Sequence, residues 1–394
     1  MFKAFAIGVQ VGYAFCVRIM IVTEVFLPAV DGLVLRLAEA IRYFHKEGHD
    51  VAIVTPNRGI DQFDGAMIYG ISDKRLPFGK NLFWAPSLKN IYDCMLEFSP
   101  QVVHIANPLL MGSVAAQYAN KLGIPIVVSY HTNFMNCLKQ YHLNNKITEN
   151  MLWHSRKKIS DSAVLNLCTS HVMRSSLRKY GIHDVHVLKR GVDSEQRHPR
   201  FASEDMRMIL SRGQADKKLL VYIGSLTKTK DLESLLPMMK RRDDVCLAIV
   251  GDGEHRETLE RLFAGTNTVF TGYFRGKNLA EAYASGDAYI FPTRKEQFGV
   301  GLLEVMASGV PIIAVRAPLI TEQFEDGRDV LLYTAGDEAS LDAAIDRLED
   351  QALMRRLGKI VRKEAEASSW ERASQQLMDY YSIAYTRATH YNQR

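Results

Sequence analysis

The 394-residue chain is 47% hydrophobic and 24% charged, the balance of a globular protein with length enough for two domains. Its net charge of +5 suits anionic substrates or an anionic membrane face and is too weak to argue for nucleic acid as a partner. Five scattered cysteines without a C-x2-C pair indicate neither a zinc site nor a disulfide framework and point to a reducing, cytoplasmic setting; no apolar run reaches the roughly 18 residues that span a bilayer.

Residues 1–16 place a lysine before an apolar stretch, faintly like a signal peptide. A strand, V-R-I-M-I-V-T, follows at once from Val17. The expectation is that 1–16 is an upstream extension with Val17 as the native initiator, which N-terminal sequencing of the native protein checks.

Val17–Thr23 reads as a buried parallel strand, apolar nearly throughout. The loop E-V-F-L-P-A-V-D-G leads into a helix at Leu33–Lys46, Gly48 stops it, and Asp50–Thr55 is the next strand. This is a βαβ unit, so a parallel sheet is expected. The turn at Asp31–Gly32 brings backbone within reach of a ligand, and without a full G-x-G-x-x-G it gives little support to a nicotinamide site. Phe63–Pro77 predicts a hairpin-like segment. The aromatic loop P-F-G-K-N-L-F-W-A-P at 77–86 reads as buried packing or as a peripheral membrane contact. A helix at Leu88–Phe98, a strand at Val102–Ile105, a helix at Gly112–Leu122 and a strand at Ile124–Ser129 follow. His104, Asn107 and His131 fall at carboxyl ends of strands, where open α/β sheets bind ligands. Phe134–Lys158 ends in Arg156, Lys157 and Lys158, a solvated helix face or a contact to anionic lipid. Ala163–Thr169 is a strand and Ser170–Tyr180 a helix.

The second half repeats the alternation. Strands are expected at Leu219–Gly224, Cys246–Val250, 269–275, Ala288–Pro292, Val310–Val315 and Gly327–Tyr333. Helices are expected at Asp231–Lys240, His255–Ala264, Asn278–Gly286, Ser340–Ala367 and over the amphipathic end. The stretch T-R-K-E-Q-F-G-V-G-L-L-E-V-M-A-S-G-V-P, Thr293–Pro311, stands out. It runs strand, glycine loop, helix, the geometry that turns unpaired backbone N–H groups towards an anion. Glu296 and Glu304 flank the loop, the second about one turn inside the helix. An anion cradle between two hydroxyl-seeking carboxylates suits a sugar nucleotide, with diphosphate on the amides, ribose on one acid and transferred sugar on the other.

This run resembles the E-x7-E signature of the retaining glycosyltransferases of family 4. The resemblance implies an α/β architecture of the GT-B type: two Rossmann-like parallel-sheet domains facing a central cleft, with a C-terminal helix crossing back to the first domain. The implied domains are 17–200 for the acceptor, 201–368 for the nucleotide sugar and 369–394 for the returning helix. Several stretches, among them R-G-V-D-S-E-Q-R-H-P-R-F and A-Y-A-S-G-D-A-Y-I-F-P-T, are similar to synthases of sulfoquinovosyl diacylglycerol. That likeness implies a UDP-sugar donor and a small-molecule or lipid acceptor. The S-Y-H-T around His131 matches glycolipid enzymes in which this histidine approaches the transferred sugar, with Asn133 on the acceptor side.

Family members commonly carry G-R-L-x-x-x-K after the first strand of the second domain. Here the run is G-S-L-T-K-T-K, so Lys230 keeps the lysine while Ser225 replaces the arginine and supplies no charged fork. The diphosphate grip then rests on Lys230, assisted by Lys228, the amides of Gly299, Val300, Gly301 and Leu302, and the helix dipole. The resemblance assigns Gly32 and Phe298 to the donor, Tyr273 and Phe274 to the nucleobase edge, Glu304 to the ribose and Glu296 to sugar hydroxyls. Catalysis is expected from Glu296, His131 and Lys230. No Asp-x-Asp offers a carboxylate pair to Mg²⁺ or Mn²⁺, so no metal and no cofactor are expected. The alternatives are transfer to a natural product or polysaccharide, and a sugar-nucleotide-binding protein with weak turnover.

Overall fold

The computed structural model describes residues 16–29, 32–72, 74–75, 83–84, 89–131, 146–294 and 300–391. The chain divides into two compact units. The first joins Met1–Thr169, Met173–Leu188 and Ser374–Arg394; the second joins Ser170–Val172 and Lys189–Ala373. The expected extension and the aromatic loop at 77–86 lie almost wholly outside the described residues.

The first unit is built on strands β1 (Arg18–Thr23), β2 (Asp50–Pro56), β3 (Gln62–Phe63), β4 (Ala66–Ile71), β7 (Val102–Ala106), β8 (Ile126–Tyr130), β9 (Leu165–Cys168) and β10 (Val185–Val187), with β5 (Lys74–Arg75) and β6 (Phe83–Trp84) forming a separate ribbon. Their order across the main sheet is β10-β9-β8-β7-β1-β2-β4-β3. Every pairing is parallel except the edge pair β3–β4. That pair is a hairpin over residues 62–71, shorter than the segment expected over Phe63–Pro77, and it turns at Asp64 and Gly65 with positive φ of 43° and 81°.

The strands are apolar along their length because both faces are covered. Met20, Val22, Ala52, Val54, Val103 and Ile105 pack on one side; Ile19, Ile21, Val51, Ile53, Val102 and Ala106 pack on the other. The second face receives Leu37, Ile41 and Phe44 of the helix Gly32–Lys46, and Leu377, Met378, Tyr381 and Ala384 of the helix Trp370–Tyr391. Each large apolar side chain so buried contributes about 1.5–3 kcal/mol. This burial ties the end of the chain into the first unit, as the family resemblance implies.

The second unit holds β11 (Lys218–Ile223), β12 (Val245–Val250), β13 (Thr268–Gly272), β14 (Ala288–Phe291), β15 (Ile312–Val315) and β16 (Leu331–Tyr333) in the order β13-β12-β11-β14-β15-β16, all parallel. The order reverses between β11 and β14 here, and between β1 and β7 in the first unit. Connections on either side of such a reversal leave to opposite faces, which opens a crevice at the strands' carboxyl ends.

Four expectations are corrected. The second unit takes up the chain at Lys189 rather than 201, because Val192 bridges Ser369 and Gly191 lies against Trp370. The helix expected at Asp231–Lys240 is a 3₁₀ turn, Leu232–Leu235, and then a helix, Leu236–Arg241; Pro237 is tolerated only in a first helical turn. The helix expected over Ser340–Ala367 breaks into Glu338–Asp346 and Gln351–Glu366, where Asp350 caps the amides of Ala352 and Leu353. The late strand contracts to Leu331–Tyr333.

Candidate functional site

At the crevice of the second unit the loops after β11 and β12 pack backbone on backbone. Gly224 N–H donates to the Val250 carbonyl at 3.0 Å, Leu226 N–H to Asp252 at 2.9 Å, and Gly251 N–H to Gly272 at 2.9 Å. Gly251 has φ of +136°, and a Cβ there would strike the Gly224 carbonyl oxygen; one on Gly253 would strike that of Leu226. The result is a side-chain-free floor on which a ligand can approach the main chain. At its β13 edge Tyr273 is 66% exposed, its hydroxyl donating to the Asp252 carbonyl at 3.4 Å. Phe274 is half-buried and packs against the core cluster that includes Leu219, Val221 and Val250. The two residues named for a nucleobase therefore differ: Tyr273 offers an open ring, and Phe274 supports the floor.

Ser225 is exposed, and its carbonyl accepts from the Tyr222 hydroxyl at 3.1 Å. Lys228–Lys230 forms a single 3₁₀ turn. Thr293 Oγ1 donates to the Lys230 carbonyl at 3.2 Å, which fastens this turn to the end of β14, where the acid-bearing stretch begins. Next to it Arg294 pairs with Asp231 at 3.0 Å.

The helix Val300–Ala307 follows β14 as expected, with Glu304 one turn inside it. Gly301 and Leu302 lie in its first turn and Val300 is its first residue. Glu296, Phe298 and Gly299 lie outside the described residues. Glu304 is a held carboxylate. Arg197 reaches its Oε1 through Nε at 2.9 Å and Nη2 at 2.8 Å, and the Tyr283 hydroxyl donates to Oε2 at 2.9 Å. The Arg197 guanidinium lies 5.4 Å from the Tyr283 ring centroid. Burial, then the Glu304 charge, pushes the Tyr283 hydroxyl well above its ordinary range, so it stays protonated and donating. A carboxylate has about four acceptor positions, so an oriented Glu304 retains capacity for ligand hydroxyls.

In the first unit, Gly32 opens its helix with open space where a Cβ would project. Asn107 takes a left-handed φ of 64° at the end of β7, and its Oδ1 accepts the His131 N–H at 3.2 Å. Ser129 Oγ lies 2.7 Å from His131 Nε2 and 2.7 Å from His104 Nε2, and His104 Nδ1 lies 2.7 Å from the Tyr381 hydroxyl. Burial, then Arg36, lowers His104 to about 3; burial, Arg36 and His104 hold His131 well below its ordinary range. Burial also lowers Arg36 to about 10, leaving it charged at neutral pH. Glu24, just past β1, accepts the Met111 N–H at 2.7 Å, and burial pushes its carboxyl up to about 7 against the opposing pull of the Met111 and Gly112 amides. Asn133 lies outside the described residues.

The residues named from the sequence leave out the side chains that hold them: Arg197, Tyr283, Glu24, Arg36, Ser129 and Tyr381. Ser129 had a visible signal, since it shares a strand face with His131 at i, i+2. Arg197 and Tyr381 had none, because each reaches its partner from a distant part of the chain, 107 and 277 residues away.

Two family models match the chain: Glycosyltransferase Family 4 over residues 30–196 and Glycosyl transferases group 1 over residues 211–364. HepE of Anabaena, solved in complex with UDP, superposes with a TM-score of 0.74 at 17% identity, over 93% of this chain and all of that one. Two Rossmann-like units with switch-point loops of this composition define a glycosyltransferase of the GT-B fold. A sulfoquinovosyl transferase of Arabidopsis thaliana is 32% identical, covering 90% of this chain and 71% of that protein. A GDP-mannose-dependent alpha-mannosyltransferase of Corynebacterium glutamicum is 29% identical, covering 93% and 88%. The chain belongs to glycosyltransferase family 4.

Proposed function

We propose that the enzyme transfers a sugar from a UDP-sugar to an acceptor hydroxyl with retention of anomeric configuration, a lipid such as diacylglycerol being the acceptor. The observation that carries the donor side is Glu304, oriented by Arg197 and Tyr283 in the unit that also holds the glycine floor and the open ring of Tyr273. In this reading the uracil meets Tyr273 and the ribose hydroxyls donate to Glu304. The diphosphate lies against Lys230, assisted by Lys228, and the amides that open the helix Val300–Ala307. Glu296 receives sugar hydroxyls, and His131 and Asn133 face the sugar and acceptor. The bond between the anomeric carbon and the phosphate oxygen breaks as the acceptor oxygen bonds to the same carbon. The acceptor proton passes to the departing phosphate, leaving UDP and the glycoside. Lys230 and the amides stabilise the charge that develops on the diphosphate. We assign no metal to the reaction.

The 29% identity to a GDP-mannose-dependent enzyme favours a second donor reading, GDP-mannose. The test is nucleotide release in EDTA with UDP-glucose, UDP-galactose, UDP-glucuronate, UDP-sulfoquinovose or GDP-mannose, each with diacylglycerol vesicles and with water-soluble acceptors. The expected result is UDP release that requires vesicles, unaffected by EDTA, with an α-glycoside in the product's proton spectrum. Release from GDP-mannose alone overturns the donor assignment, release without vesicles overturns the lipid, and tight binding without release favours a sugar-nucleotide-binding protein.

A further inference from the structure

We infer that a buried chain of three side chains, Tyr381, His104 and Ser129, fixes the tautomer of His131 with its ring proton on Nδ1, making Tyr381 and Ser129 positioning residues for the imidazole at the first unit's site. The inference rests on the proposed reading only where it says what that imidazole meets.

The polarity of the chain follows from its closed end. Tyr381 and Ser129 are 0% exposed and His104 is 1% exposed. Among the described residues the Tyr381 hydroxyl has one hydrogen-bond partner, His104 Nδ1, at 2.7 Å. If that hydroxyl only accepted, its own proton would be buried without an acceptor, at a cost comparable to a lost hydrogen bond. Tyr381 therefore donates, and His104 Nδ1 accepts. A neutral imidazole carries one ring proton, so that of His104 sits on Nε2 and points at Ser129 Oγ, 2.7 Å away. Ser129 has a single proton to give, and the remaining partner is His131 Nε2 at 2.7 Å. With Nε2 accepting, the ring proton of His131 is on Nδ1. The opposite polarity runs the length of the chain and ends on a Tyr381 proton with nowhere to go.

The groups that act on the two rings favour the neutral state throughout. Arg36, on the helix that covers this face of the sheet, places a positive charge near both histidines. His104 on β7 is itself neutral, and Tyr381 on the last helix is held protonated by burial. The main chain of His131 is fixed by Asn107 Oδ1. Nε2 accepts from Ser129 and Nδ1 carries the ring proton, so neither nitrogen is a vacant base for the acceptor's proton. In the proposed reaction that leaves the departing phosphate as the base.

The experiment is a proton–nitrogen correlation of the imidazoles in full-length protein labelled with ¹⁵N-histidine, with His131 assigned through His131→Gln. The expected spectrum shows a protonated Nδ1 and an unprotonated Nε2 for His131, unchanged across about pH 5–8, where an ordinary histidine titrates. Tyr381→Phe, which keeps the packing of the ring, should mix the two tautomers and lower kcat by about five- to twentyfold while leaving donor KM within about twofold. Ser129→Ala, which removes the donor to Nε2, should likewise mix the two tautomers of His131 while burial and Arg36 keep the ring from titrating. A wild-type His131 protonated on Nε2, or one that titrates near its ordinary range, overturns the inference; so does a Tyr381→Phe spectrum identical to wild type. The spectrum needs no donor or acceptor, so failure of every sugar nucleotide would remove the proposed function and leave the relay separately decided.

Discussion

Two donors converge on Glu304 from residues that no motif joins to it. Arg197 occupies one carboxylate oxygen and Tyr283 the other, so the side chain is held in one rotamer before any ligand arrives, which lowers the ordering cost of binding. Tyr283→Phe should weaken UDP binding by about three- to tenfold, the value of one ordinary net hydrogen bond, measured by titration calorimetry; an unchanged Kd would mean that Tyr283 only packs. Glu24 permits a sharper test by pH. In the unfolded chain its carboxyl ionises near 4.5, and in the folded protein near 7. Below the first value both states hold the proton. Between the two only the folded state keeps it, so stability falls as pH rises through that window and stays lower above it. Glu24→Gln keeps an acceptor for Met111 N–H and cannot ionise, so its Tm relative to wild type should be higher at pH 8 than at pH 4.5. Equal differences at both pH values would contradict the raised carboxyl. Glu304 was legible from its distance to Glu296, and His131 from its place after a strand. The groups that tune them were not, because their contacts depend on how strands and helices stack.

The elements were legible wherever periodicity and length agree. Buried parallel strands announce themselves as short apolar runs, and nearly every such run here is a strand within two residues of the expected bounds. What the pattern did not show was where a continuous amphipathic stretch is cut, as at Asp350, whose side chain caps a new helix with apolar spacing unbroken across it. It also did not show that the β11 and β12 loops lie on each other. That contact has a measurable consequence. Gly251→Ala would force a side chain into a φ of +136° and against the Gly224 carbonyl; strain of this kind costs about 1–3 kcal/mol before the clash is relieved. The variant should unfold at lower denaturant and bind UDP at least about tenfold more weakly. Wild-type values for both would mean that the floor tolerates a side chain and does not cradle the ligand.

For the whole molecule, two sheets of the same kind arise because both halves alternate buried strand and amphipathic helix, and right-handed crossovers leave a parallel sheet as the solution. The last helix was legible as an amphipathic face, and its return to the first unit came from the family resemblance. That one of its tyrosines would close a hydrogen-bonded chain to His131 was not, since Tyr381 looks like any other core residue at helical spacing. Ser225 stands where family relatives were expected to place an arginine, so under the proposed function the electrostatic work of the second unit falls to Lys230 and the amides around Gly301. Adding the cation back as Ser225→Arg should tighten UDP binding about three- to tenfold, the worth of a charge-assisted contact, and no change would place the diphosphate elsewhere.

The account stands on a nucleotide sugar bound where β11 and β14 part, with its ribose on Glu304. The direct measurement is the Kd for UDP of wild type and Glu304→Gln by titration calorimetry, with thermal unfolding recorded to confirm that both are folded. The account predicts binding weaker by about tenfold or more when the carboxylate loses its charge; a folded Glu304→Gln protein with the wild-type Kd would contradict it.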